Sequence, residues 1–137
     1  MSVVIDSSIT LAWFFEDERT DRADDLMRHV ARAGAIVPSL WRLEIANALQ
    51  MAVRHKRISI EFRDASLADL RTFPIAIDSE TDRNAWEATL MLAERCNLTL
   101  YDAAYLELAH RVRLPLASLD KGLRAACRVV RVPIRPK

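Results

Sequence analysis

Four acidic residues, Asp6, Glu44, Asp102 and Asp120, stand inside or directly beside apolar runs: VVID, LWRLEIANAL, LTLYDAAYLELA and LASLD. A buried, unpaired carboxylate costs several kcal/mol or takes up a proton until it is neutral. One such residue is explained by a helix cap; four of them, spread over the chain, point to a shared cation. His29, His55 and His110 form no HxxxH or HxH pair, which argues against zinc. Carboxylates without His or Cys select a hard cation, Mg²⁺ or Mn²⁺. The chemistry that such an ion supports best is hydrolysis of a phosphodiester.

Each acid also has a structural explanation. Asp6, within DSS directly after the first apolar run, is a good N-cap, and so is Asp120, with Gly122 easing the turn. Thr99 and Asp102 match the S/T-x-x-D/E capping box. Glu44 is harder to explain locally. On a helix its neighbours are Leu40, Trp41, Asn47, Ala48 and Met51, a mostly apolar face, and a salt bridge to a distant residue is the remaining option. Asn47, one turn on, is placed to support the carboxylate.

The elements that must carry these residues alternate between strand and helix. SVVI at 2–5, AIV at 35–37, PIAI at 74–77 and LPLASL at 114–119 read as short buried strands, with a last one within 129–134. Ala23, Leu26, Met27 and Val30 set a helix over 18–33, ended by Gly34. Ser39 is expected to cap a helix running to about residue 57, followed by a helix over 60–71. Ser79 or Thr81 should cap one to about 96, and further helices should cover 100–112 and 121–128. The alternation predicts an α/β fold with a mainly parallel sheet of four or five strands, in one domain spanning 1–137. In such sheets ligands gather at the carboxyl ends of strands, where Asp6 and Asp120 fall.

Composition removes several alternatives. The two glycines, Gly34 and Gly122, cannot form a GxGxxG turn or a GxxxxGK[ST] phosphate loop. No apolar run spans a bilayer, and the N-terminus lacks the basic and long apolar regions of a signal peptide, so the cytoplasm is the expected location. Cys96 and Cys127 are expected as free thiols. Net charge is +1, but it is divided unevenly: residues 110–137 carry eight Arg and Lys against the single acid Asp120. A basic end on an acidic body fits a polyanion approaching an acidic metal site, and a solvated arginine-rich tail fits the same count. Lys121, Arg124 and Arg128 are the candidates for gripping a nucleic-acid backbone.

VVIDSSITLAWFFEDE, PSLWRLEIANAL, LTLYDAAYLELAHR and LPLASLDKGLRAA, in this order and spacing, resemble the PIN domain, and more narrowly its VapC-type toxin ribonucleases. The resemblance implies a three-layer α/β/α sandwich and Mg²⁺- or Mn²⁺-dependent endonucleolytic cleavage of RNA. It also implies homodimerisation and inhibition by a cognate antitoxin. It places the acidic quartet on Asp6, Glu44, Asp102 and Asp120; the mechanism expected from them is metal-assisted hydrolysis with Asp6 and Asp102 as direct ligands and Glu44 and Asp120 acting through water or on a second ion. Ser7, Ser8, Asn47 and Ser118 become polar supports, Ser118 standing where relatives often carry Thr. The rival reading is a non-catalytic interaction or signalling domain whose acidic cluster is structural or a phosphoacceptor site. The spacing of the acids fits a phosphoacceptor poorly, since Asp6 has no acidic neighbour before Glu16. Whether Trp13, Phe14, Phe15 and Trp41 form core or interface is open at this level, with core the simpler assignment.

Overall fold

The structure is a computed structural model that describes residues 1–137. Five short strands form one sheet: β1 (Val3–Ile5), β2 (Ala35–Val37), β3 (Ile75–Ile77), β4 (Leu116–Ala117) and β5 (Ile134–Arg135). Their order is β3-β2-β1-β4-β5 and every pairing is parallel. The chain moves outward from β1 through β2 to β3, then returns to the other side of β1 for β4 and β5. The order therefore reverses between β1 and β4, which is where an open parallel sheet leaves a crevice. Val3, Val4 and Ile5 are all buried, as a central parallel strand covered on both faces requires.

Eight helices connect the strands: α1 (Ser7–Ala12), α2 (Asp21–Ala33), α3 (Trp41–Arg54), α4 (Ile60–Leu70), α5 (Thr81–Asn84), α6 (Ala88–Cys96), α7 (Leu100–Val112) and α8 (Lys121–Val130). Right-handed crossovers place α1–α4 on one face of the sheet and α5–α8 on the other. The packing agrees, with α3 against α1 and α4, and α7 against α6 and α8. The result is the expected three-layer α/β/α arrangement. Trp13, Phe15 and Trp41 are buried and Phe14 is partly so, which makes three of the four core residues. Trp13 stacks on Phe73 at 5.8 Å, and its indole N–H donates to the Ala23 carbonyl at 3.0 Å.

Several boundaries differ from the sequence-based expectation for physical reasons. α2 starts at Asp21, capped by the Thr20 hydroxyl, after a separate 3₁₀ turn at Glu16–Glu18. Ser39 does not cap α3: Ser39 and Leu40 form a preceding turn, with Trp41 N–H donating to the Pro38 carbonyl. The helix expected from Ser79 or Thr81 to Cys96 is broken into α5 and α6, with neither residue as its cap. Thr81 instead donates to Asp78 and accepts from the Ser39 N–H, so its hydroxyl ties two strand ends together. Asp78 belongs to a buried ionic group with Arg111 and Glu107, the Arg111 guanidinium bridging both carboxylates.

Candidate active site

Asp6 is the best-held of the four acids. It follows β1, caps α1, and is 5% exposed. Its Oδ1 accepts from the Ser8 hydroxyl at 2.7 Å and from the Ile9 N–H at 3.0 Å, while Oδ2 accepts from the Ser118 hydroxyl. Those two hydroxyls also accept: Ser8 Oγ takes the Leu119 N–H at 2.9 Å and Ser118 Oγ takes the Asp120 N–H at 3.0 Å. The loops after β1 and β4 are thereby stitched across the switch point, with Asp6 between them. Burial nevertheless dominates and pushes the Asp6 carboxyl up to about 6, against the pull of its hydrogen bonds, with the Asp102 charge adding to the rise.

Asp120 caps α8 through a 2.8 Å bond from the Leu123 N–H to Oδ2, and it is exposed. Asp102 lies in the first turn of α7, half-buried, with its N–H donating to the Thr99 hydroxyl at 3.1 Å. Its carboxyl is raised by burial and then by the charge of Asp120. Glu44, in the first turn of α3, is half-buried and raised by burial, with Asp102 contributing and a hydrogen bond from Tyr105 opposing. Asp102 is thus the electrostatic neighbour of each of the other three. None of the four has an arginine or lysine partner.

The supporting residues divide. Ser8 and Ser118 bind Asp6 as described. Ser7 is partly buried, and its hydroxyl has no protein partner. Asn47 is exposed and does not bond Glu44; the phenol of Tyr105 does, donating to Glu44 Oε1. Of the basic candidates, Lys121 and Arg128 are exposed on α8. Arg124 is turned inward, its guanidinium donating to the carbonyls of Ser118, Arg135 and Pro136, so it braces the β4 loop against the chain's last residues.

Tyr105, buried in the core, is a contact of the quartet that the sequence does not single out. Its position three residues after Asp102 places both on one face of α7, but a partner on another helix leaves no trace in local spacing. A comparable link starts at Trp41, whose indole N–H donates to Thr10 Oγ1 at 3.2 Å, while Thr10 donates to the Asp6 carbonyl at 2.8 Å.

The donor set suits a hard divalent cation: four carboxylates, Asp102 coupled by charge to each of the others and three of them raised by burial, with no cationic side chain among them. No three acidic side chains are close enough to form a ready cage. That is compatible with Mg²⁺, which prefers one or two carboxylates and retains water for the rest of its shell. The site is open, since Asp120 is exposed and Glu44 and Asp102 are half-exposed. Small-molecule sites are concave and enclosing, whereas an open ledge admits a polymer.

The fold is that of a parallel α/β/α sandwich with two aspartates, Asp6 and Asp120, at the switch point of its sheet. The chain belongs to the PIN domain family, whose model matches residues 3–129. It is 28% identical over 124 residues to Ribonuclease VapC3 of Pyrobaculum aerophilum, covering 90% of this chain and 92% of that protein. It is 29% identical over 109 residues to Ribonuclease VapC3 of Mycobacterium tuberculosis, covering 78% and 75%. Among solved structures, PAE2754 from Pyrobaculum aerophilum superposes with a TM-score of 0.68 at 26% identity, covering 92% of this chain and 87% of that one. VapBC2 from Rickettsia felis, bound to a DNA fragment from its promoter, matches at TM-score 0.66 and 13% identity over 98% of both chains, a likeness of fold.

Proposed function

We propose that this protein is a Mg²⁺- or Mn²⁺-dependent endoribonuclease that hydrolyses RNA phosphodiester bonds and acts as the toxin of a toxin–antitoxin pair. One observation carries the reading: Asp6, Glu44 and Asp120, drawn from three separate segments, are each coupled by charge to Asp102 on a fourth, and none of the four has a cationic partner. The likeness to ribonucleases over nine-tenths of the chain supports it. When bound, the divalent ion supplies charge neutralisation on the phosphate and a water that gives up its proton near neutral pH.

The chain's own residues do the rest. Asp6, held on both oxygens, and Asp102, on the rigid first turn of α7, are the direct ligands. Asp120, exposed at the mouth, acts through water or on a second ion. Glu44 uses Oε1 for the Tyr105 phenol and leaves Oε2 to act through water or on a second ion, where a water between them can pass it a proton. Lys121 and Arg128, seven residues apart on one face of α8, hold the RNA backbone beside Asp120. The expected protein partners are a cognate antitoxin and a second copy of this chain.

The test is cleavage of a structured RNA by the purified protein in Mn²⁺ and in EDTA, with Asp6→Asn and Asp102→Asn alongside. Removing the ion, or either carboxylate, should lower the rate at least about a hundredfold while circular dichroism shows an intact fold. Undiminished cleavage in EDTA, or full activity in both variants, overturns the proposal.

A further inference from the structure

We infer that Tyr105 is a positioning residue of the acidic site: its phenol holds the Glu44 side chain inward against Asp102 and thereby sets how tightly the cluster binds a divalent cation. This rests on the metal-site reading above and goes beyond it to a residue outside the acidic quartet.

The argument starts from what pushes Glu44. Its carboxylate is half-buried, has no salt-bridge partner, and feels the negative charge of Asp102. Desolvation and like-charge repulsion both favour swinging it into water. A glutamate on a helix surface has three side-chain torsions with which to do so. The hydrogen bond from Tyr105 is the one protein contact that opposes this movement. Asn47, the local alternative, is exposed and makes no such bond.

Tyr105 suits that task because it cannot move. Its ring is 1% exposed, packed in the main core, and buried aromatic rings are confined to one rotamer by close packing. Phenylalanine would fill the same space without burying a hydroxyl, and a buried hydroxyl is costly unless it donates. Here it donates to a carboxylate 61 positions earlier in the chain. The root of α3 has its own anchor, the Trp41–Thr10–Asp6 link. Tyr105 therefore governs the direction of one side chain and leaves the placement of the helix to other contacts. Because Asp102 and Tyr105 share one face of α7, a single rigid helix presents one carboxylate and aims the second.

The experiment is isothermal titration of Mn²⁺, without RNA, into wild type, Tyr105→Phe, Glu44→Gln and the double variant. Loss of a charge-assisted hydrogen bond should weaken Mn²⁺ binding about tenfold in Tyr105→Phe. The same change in the Glu44→Gln background should alter binding by less than about twofold, since residues acting through one another are not additive. Glu44→Asp, which withdraws the carboxylate from the phenol without touching the core, should reproduce the loss, so the inference stands or falls even if Tyr105→Phe folds poorly. Wild-type Mn²⁺ affinity in Tyr105→Phe or in Glu44→Asp, or additive effects in the double variant, overturns it while leaving the metal site standing. No Mn²⁺ binding by wild type removes both this inference and the reading beneath it.

Discussion

Replacing Asp6 by Asn should make the metal-free protein more stable at pH 8 while abolishing its activity. Asp6 is 5% exposed, and burial lifts its carboxyl from 3.8 to about 6. A rise of that size penalises the charged form by about 3 kcal/mol. In the unfolded chain Asp6 ionises near its ordinary value, so between roughly pH 4 and 6 the folded state keeps a proton that the unfolded state has lost. The contribution to stability is therefore fully present below about pH 4, declines as pH rises through 6, and is gone above that. Asn cannot ionise and escapes the decline. Its amide must, however, set one N–H against donors that now face carboxylate oxygens, from Ser118 or from Ser8 and Ile9, at a cost of about 1 kcal/mol. The net gain at pH 8 is about 2 kcal/mol, or roughly 5 °C or more in melting temperature for a domain of this size. At pH 5 the advantage should shrink to about 0.6 kcal/mol, and it should vanish at about pH 4.5. Calorimetry in EDTA at pH 5 and pH 8 measures both quantities. If Asp6→Asn melts below wild type by the same margin at the two pH values, Asp6 is comfortably solvated by its hydrogen bonds and the strain argument fails.

Three further predictions concern basic residues. Arg111→Ala strips the shared partner from Asp78 and Glu107, whose side chains are 6% and 5% exposed, and should destabilise the fold by about 3–5 kcal/mol in urea titration; a loss under about 1 kcal/mol would mean that water already reaches the pair. Arg124→Ala should lower the melting temperature and leave RNA affinity nearly unchanged, because its guanidinium is committed to three carbonyls. Lys121→Ala and Arg128→Ala should each weaken RNA binding and reduce its salt dependence by about one counterion, with little effect on melting. Binding measured at several salt concentrations separates the two groups, and the reverse pattern would refute the assignment.

The capping and site readings of Asp6 and Asp120 looked like rivals in the sequence; the structure shows both residues capping helices, at a place compatible with the site reading as well. A carboxylate at the junction of a parallel strand and the next helix accepts the first free N–H groups of that helix, and the same junction is where the sheet opens. Asp6 takes the Ile9 N–H, Asp120 takes the Leu123 N–H, and both stand at the crevice. Such junctions are legible because strand, cap and helix lie within ten residues. The break between α5 and α6 was not legible: residues 84–87 hold no Gly or Pro, the residues that usually mark one. Arg124 misled for a related reason. Counting charges treats each arginine as a surface cation, and nothing in the count shows that three carbonyls wait nearby. Helical spacing likewise nominated Asn47 as the support of Glu44, since it sees one helix at a time, whereas the actual donor lies on α7.

A site built from like charges has to be held together by something other than those charges. Here the restraints are neutral: the Ser8 and Ser118 hydroxyls on Asp6, the Tyr105 phenol on Glu44, and the Thr99 hydroxyl at the start of α7. Neutral donors can position a carboxylate without cancelling its charge. An arginine in the same place would hold it more firmly and quench its attraction for a cation. The buried ionic group of Asp78, Arg111 and Glu107 shows the other solution within the same chain, with a guanidinium balancing two carboxylates. The contrast is chemical. Where charge is neutralised internally, the carboxylates are satisfied and serve packing; where only neutral hydroxyls and backbone N–H groups hold them, the repulsion persists and an external cation has something to relieve.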